Sequence, residues 1–176
     1  MSGPKTCTSW SFESNTLEGW SVDTADSNAT GVVSNLGVSA APAGLSAGSR
    51  ALSFNLRPGP NGGDVVLTVP ICDAQGVQFN TTVNTYAFSL FFMDAAGTVP
   101  LEQGGGIQAF QHFNAPTFGP NNITANTAST IKSGAWINYT SQLFSGGQSD
   151  LETSAGIVIH FLQNWQGTIF VDNVHF

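Results

Sequence analysis

The chain has 176 residues, with four Lys or Arg against eleven Asp or Glu, for a formal net charge of -7. That length suits one domain able to bury most of its apolar surface, and the acidic balance is the reverse of the basic footprint that nucleic-acid binding requires. Charged residues make up only 9% and hydrophobic ones 41%, the rest being mostly Gly, Ser, Thr, Asn and Gln, a balance that fits an extracellular β-protein better than a helical cytosolic one.

Residues 1–6 read as a linker remnant and 7–176 as one domain. No apolar run approaches the length of a membrane-spanning helix, and Met1-Ser2-Gly3-Pro4-Lys5 lacks the apolar centre of a signal peptide, so a secreted form is expected to have lost its signal. Cys7 and Cys72 fit either one disulfide or two reduced, buried thiols. The sequons at Asn28, Asn80, Asn122 and Asn138 add weight to the disulfide.

Short apolar or alternating runs separated by Gly, Pro, Asn and Ser clusters predict strands near 8–13, 18–23, 31–36, 50–56, 64–70, 85–93, 106–113, 136–144, 155–163 and 168–176. No stretch has sustained helical periodicity, so the expected fold is all-β, a single sandwich of two antiparallel sheets. Ser39–Gly48 and Arg57–Gly63 read as loops. Asn114–Gly134 is too long to stay structureless in a compact domain, and is either a functional loop or hides a short strand.

Alternation assigns faces. In 86–93, Tyr86, Phe88, Leu90 and Phe92 form the core set, leaving Ala87, Ser89, Phe91 and Met93 outside. In 107–113 and 157–162 the same rule puts Gln108, Phe110, His112 and His160 together on the outer face of one sheet. Trp20 and Trp136, in apolar runs beside turn glycines, read as core. Trp165, between Asn164 and Gln166, reads either as an exposed stacking residue or as packing over the sandwich edge.

Catalytic chemistry has few candidates. Asp150 and Glu152 are the one close acid pair on a late strand or loop, in a segment that reads as a solvated turn. There is no nucleophile elbow, His-Glu-x-x-His or Cys-x-x-Cys pattern, and His112, His160 and His175 read as ordinary hydrogen-bonding strand residues. Asp172 stands apart, as a carboxylate inside the apolar run Ile169-Phe170-Val171-Asp172-Asn173-Val174, where desolvation demands a partner. Hydrogen bonds from Ser or backbone groups, an ion pair with Arg50, or a hard cation each meet that demand.

The opening Trp10-Ser11-Phe12-Glu13, its continuation into Gly19-Trp20, and the closing Ile-Phe-Val-Asp-Asn-Val strand together resemble the jelly-roll carbohydrate-binding modules and their galactose-binding-like relatives, over roughly Ser11 to Phe176. The resemblance implies a structural calcium ion tying the first strand and its following loops to the last strand, with Glu13 and Asp172 as the matching positions and main-chain oxygens near Ser49 and Arg50 completing the shell. It also implies a polysaccharide site. Gly106–Asn114, followed by Ser133-Gly134-Ala135-Trp136-Ile137, is similar to the strand, loop and Gly-x-Trp strand that contact saccharide there. The implied ligand-binding set is Gln108, Phe110, His112, Phe118, His160 and Trp165, with Phe118 standing where family members often carry Trp or Tyr.

The function expected on this basis is a non-catalytic carbohydrate-binding module, monomeric and extracellular or on the cell surface, holding a parent enzyme or surface protein to a neutral β-linked polysaccharide. An adhesion domain of the same fold with a Phe91, Met93 and Phe110 contact patch is the first alternative. A small glycan-active lyase or hydrolase is the second.

Overall fold

The computed structural model describes residues 9–23, 33–44, 48–57, 62–70, 85–113, 121–142, 152–162 and 165–176. Within them lie thirteen strands: β1 (Ser9–Trp10), β2 (Ser21–Val22), β3 (Val33–Ala40), β4 (Arg50–Leu56), β5 (Gly63–Pro70), β6 (Thr85–Met93), β7 (Thr98–Pro100), β8 (Ile107–Phe113), β9 (Asn121–Asn126), β10 (Thr130–Lys132), β11 (Trp136–Gln142), β12 (Glu152–Phe161) and β13 (Gly167–His175). No helix is present among the described residues, and so none long and apolar enough to cross a membrane.

Two antiparallel sheets pack face to face as a single jelly-roll β-sandwich. One runs β11-β6-β13-β4-β3, with β1 also paired to β13; the other runs β2-β5-β12-β8-β9. A two-stranded ribbon of β10 and β7 flanks them. The alternating side chains of each sheet build the shared core: Tyr86, Phe88, Leu90 and Phe92 of β6 and Leu52, Phe54 and Leu56 of β4 meet Val65, Leu67 and Val69 of β5 and Ala155, Ile157, Ile159 and Phe161 of β12. The core set read from 86–93 is therefore the one observed. Of the two readings of 114–134 the hidden strand is the one observed, as two strands, β9 on the edge beside β8 and β10 against β7, while the 98–100 strand was not expected.

The tryptophans divide. Trp20 is core, packed edge-on against Trp10 with centroids 5.9 Å apart. Trp136 is not in the central core as expected. It lies half-buried in an outer cluster with Ala51, Phe91 and Phe170 on the six-stranded sheet, its Nε1 donating to the Pro42 carbonyl at 3.0 Å. Trp165 settles the choice left open for it. At 3% exposed it stacks on Phe161 at 5.5 Å and 10°, meets Phe92 edge-on, and donates its indole N–H to Asp94. It does not belong to a ligand-stacking set, because the ring is buried, stacked on Phe161 and already using its polar edge.

Candidate functional site

The outer face of the five-stranded sheet brings part of the predicted set together. The β8 and β12 strands are adjacent, with Gln108 opposite Val158 and Phe110 opposite Gly156, and β5 continues the rows with Val66 beside Val158 and Asp64 beside His160. Ile107, Ala109 and Gln111 are buried on the other side, so the parity that turned Gln108 and Phe110 outward is the observed one. The Glu102–Gly106 turn is clamped over the end of β12, as the His160 amide donates to the Gly106 carbonyl at 2.9 Å and the His160 carbonyl accepts from the Glu102 amide at 3.0 Å. Between turn and sheet lies an open recess lined by Glu102, Gln103, Gly104, Gly105, Gln108 and His160.

The recess has defined hydrogen-bonding chemistry. His160 Nδ1 lies 2.7 Å from Asp64 Oδ1 and 4.0 Å from Glu102 Oε2. An ionised Asp64 makes Nδ1 the donor and leaves Nε2 as an acceptor. Gln108 packs its amide against Gly105, where a Cβ would come within 2.6 Å of Nε2, and its Oε1 is buried without a donor. An amide and an oriented imidazole beside carboxylates form a hydroxyl-recognising set. Sequence reading found Gln108 and His160 but not Asp64, which reaches the site through strand pairing, or Glu102, which reaches it through the turn just before β8.

Other members of the predicted set do not join them. Phe110 faces outward but is only 2% exposed, buried in a cluster with Val66 and Val158, so it offers no open ring face for stacking. The Phe91, Met93 and Phe110 patch is not formed either, since Phe91 lies on the opposite sheet, both phenylalanines are buried, and only Met93, at 46%, is exposed. The His112 backbone lies in β8 opposite Ser154, its side chain falling outside the described residues. Phe118, Cys7, Cys72 and Asp150 also lie outside them.

A second constellation surrounds Asp172. Along β13 the neighbour changes from β4, last paired at Val171 with Leu52, to β1, paired at Val174 with Trp10, and Asp172 sits at that handover. It is 1% exposed, and neither carboxylate oxygen meets a donor in hydrogen-bonding geometry. Desolvation pushes its pKa up to about 7; the nearby Asn173 amide opposes this, while the Glu13 and Glu18 carboxylates add to it. Arg50 does not pair with it, because its Nη1 donates to Asn15 Oδ1 at 2.6 Å. Backbone strain collects here as well: Phe12, Asn15, Glu18 and Asn173 all take left-handed φ of 50–59°, conformations that persist only where the surroundings hold them.

Glu13 is used differently from the expectation. Its Oε1 accepts from the Ser49 and Arg50 amides at 2.7 and 2.9 Å and Oε2 from the Ser49 hydroxyl at 3.2 Å, donations led by the Arg50 amide that hold its pKa down. Ser49 and Arg50 thus present donors to Glu13, and the Ser49 carbonyl accepts from the Ala41 amide. Among the described residues no three His, Cys, Asp or Glu side chains form a metal cage by themselves. A hard cation at Asp172 would accordingly need main-chain oxygens or water.

The sequence matches no family model and no curated protein. Solved structures are similar in fold. One from work on carbohydrate-binding modules of the β-sandwich superfamily superposes with a TM-score of 0.63 at 17% identity, covering 96% of this chain and 60% of that one. The CBM22-2 xylan-binding domain of Paenibacillus barcinonensis Xyn10C gives 0.58 at 13% identity, over 96% of this chain and 97% of that chain. CBM27-1 of Caldicellulosiruptor saccharolyticus, solved with mannohexaose, gives 0.59 at 19% identity, over 93% and 92%. The shared property at these identities is the jelly-roll fold, a scaffold that hosts unrelated functions.

Proposed function

We propose that this chain is a non-catalytic carbohydrate-binding module that takes a neutral, β-linked polysaccharide on the outer face of its five-stranded sheet and acts outside the cell. The observation that carries this reading is the recess where His160, oriented by Asp64, stands with Gln108 beneath the Glu102–Gly106 turn. Its groups suit sugar hydroxyls, and the fold is shared with structures described as xylan-binding and mannohexaose-bound. Among the described residues the carboxyl groups at the recess, Asp64 and Glu102, disfavour a polyanionic glycan there.

Affinity electrophoresis against xylan, mannan, β-glucan and galactan tests it. Binding is expected in the micromolar to millimolar range, about -8 to -4 kcal/mol. Gln108→Ala and His160→Ala should each weaken it by about fivefold to thirtyfold, the cost of roughly one to two lost hydrogen bonds, with the melting temperature nearly unchanged. If no polysaccharide retards the wild-type protein, or both variants bind like wild type, the reading is wrong.

A structural calcium ion belongs to the same proposal. Asp172, with both oxygens unpartnered, fits such an ion, with Glu13 and Glu18 as the nearby carboxylates. The ion would supply positive charge and bind β13 to the 12–19 turn, with no part in ligand chemistry. The Cys7–Cys72 disulfide is proposed as well, and closing so long a loop stabilises by about 3–5 kcal/mol. Intact-mass measurement after alkylation of unreduced protein should find no labelled thiol, and two labels would overturn the pairing.

A further inference from the structure

The opposite sheet carries a recess of contrasting charge. On the outer face of the six-stranded sheet, Ser34, Asn55 and Thr168 are register partners across β3, β4 and β13. Thr168 Oγ1 donates to Asn55 Oδ1 at 2.9 Å, which leaves the Asn55 NH2 as the free donor. Asn35, left-handed at φ 57° in the β3 bulge, along with Arg57 and Gln166, closes the recess around this row. Among the described residues no acid lines it, although the chain has eleven. Among the described residues Arg57 has no ion-pair partner, whereas Arg50 is held by Asn15.

We infer that this recess binds an acidic substituent, a carboxylate or sulfate, borne on a saccharide. A guanidinium presents a fork of donors matched to either oxyanion, and the Asn55 and Gln166 amides add donors beside it. Net charge restricts the ligand further. At -7 the protein as a whole repels a dense polyanion, so the fitting polymer is a largely neutral chain with sparse acidic groups. The inference rests on the saccharide reading of the protein but not on the five-stranded sheet's site, and it assigns a second contact surface on the other side of the sandwich.

The test is a titration of the full 15N-labelled chain with three oligosaccharides: xylotriose, xylotriose bearing one glucuronic acid, and a neutral trisaccharide bearing one sulfate. The Asn55 and Gln166 side-chain amide signals should move with one or both acidic ligands and stay still with xylotriose. Which acidic ligand moves them identifies the substituent. Arg57→Gln should weaken the response by about tenfold or more, as for loss of a charged hydrogen bond, with an unchanged melting temperature. No movement of either amide with both acidic ligands at ~10 mM, well above the weak end of such affinities, overturns the inference, as does equal movement with xylotriose. The Gln108 amide in the same spectra reports the five-stranded sheet separately, so failure of one site is distinguishable from failure of the other.

Discussion

Metal-free protein should melt at a lower temperature at pH 8 than at pH 5, and calcium should remove the difference. Asp172 is the cause. Burial of its carboxyl, which meets no donor in good hydrogen-bonding geometry, together with the Glu13 and Glu18 carboxylates, outweighs the nearby Asn173 amide and raises its pKa in the folded state from the ordinary 3.8 to about 7. A raised carboxyl pKa means that the native state holds a proton which the unfolded state has released. Stability is therefore full below the unfolded value and is lost as pH rises through the folded value, so the loss spans roughly pH 4 to 7. At about 1.4 kcal/mol for each pKa unit, the roughly two units that lie above pH 5 amount, with some relief from solvent and relaxation, to about 1–3 kcal/mol. For a domain of this size that is about 3–10 °C in melting temperature between pH 5 and pH 8.

A divalent cation bound at the ionised carboxylate stabilises the folded state by mass action and should reverse the trend at pH 8. The variant Asp172→Asn separates this group from the general effect of eleven acids, because it keeps the shape of the side chain and removes the charge. It should melt above the metal-free wild type at pH 8, with a flattened pH dependence and no calcium response. Differential scanning calorimetry at both pH values, with chelator and with calcium, reads all of these. Equal wild-type melting temperatures with chelator at pH 5 and 8, together with no calcium shift, would remove both the titration and the cation site.

Trp165→Ala should cost about 3–5 kcal/mol, the range for deleting a large buried aromatic, and lower the melting temperature by about 10–15 °C. The side chain fills the space between Phe161 and Phe92, and its loss opens a cavity at one end of the core. It also leaves Asp94 without one of its donors. Although burial raises that carboxyl's pKa, the Ser133 hydroxyl, the Trp165 indole and the Gly97 and Ala96 amides together hold it below the usual range. Asp94 thereby joins the β6–β7 turn to the β10–β11 turn and to the segment entering β13. Trp165→Phe, which retains most of the packing but not the N–H donor, should lose only about 1–2 kcal/mol. Urea denaturation gives both values, and glycan retardation at a temperature where the variants are folded should be unchanged. Loss of binding at full stability would return Trp165 to the ligand site.

The Trp165 position shows where local pattern stops being sufficient. Flanked by Asn164 and Gln166, it has the surroundings of an exposed turn residue, and its burial follows from contacts with β6, with Phe161 and with Asp94. Gly167 is part of that packing, since any Cβ there would meet the Trp165 ring at 2.6 Å and the Met93 carbonyl at 2.4 Å. Phe110 shows a related effect. Strand parity turned it outward correctly, yet facing out of the sandwich did not mean facing water, because Val66 and Val158 cluster with it on the same face. The β7 strand was missed, and β9 and β10 were foreseen only as one short strand hidden in 114–134, because Thr-Val-Pro, Asn-Asn-Ile-Thr-Ala-Asn and Thr-Ile-Lys are short, polar and poor in large apolar residues. They are strands because β8, or each other, supplies their hydrogen bonds.

By itself the sequence determined the class of fold and the inward set of the long central strands, since a period of two with one apolar face admits a single orientation toward a core. It also marked Asp172 as a group in need of compensation, because a charge within an apolar strand is costly whatever the surrounding topology. Only the tertiary structure decided which groups stand near that charge: Glu18 joins Glu13 beside it, Arg50 turns to Asn15, and Ser49 offers donors where ligand oxygens were expected. The same holds for the Asp64–His160 pair and for the recess around Arg57. Each joins residues far apart in the chain through strand register, and register is set by the whole sandwich closing over its core rather than by any short stretch of sequence.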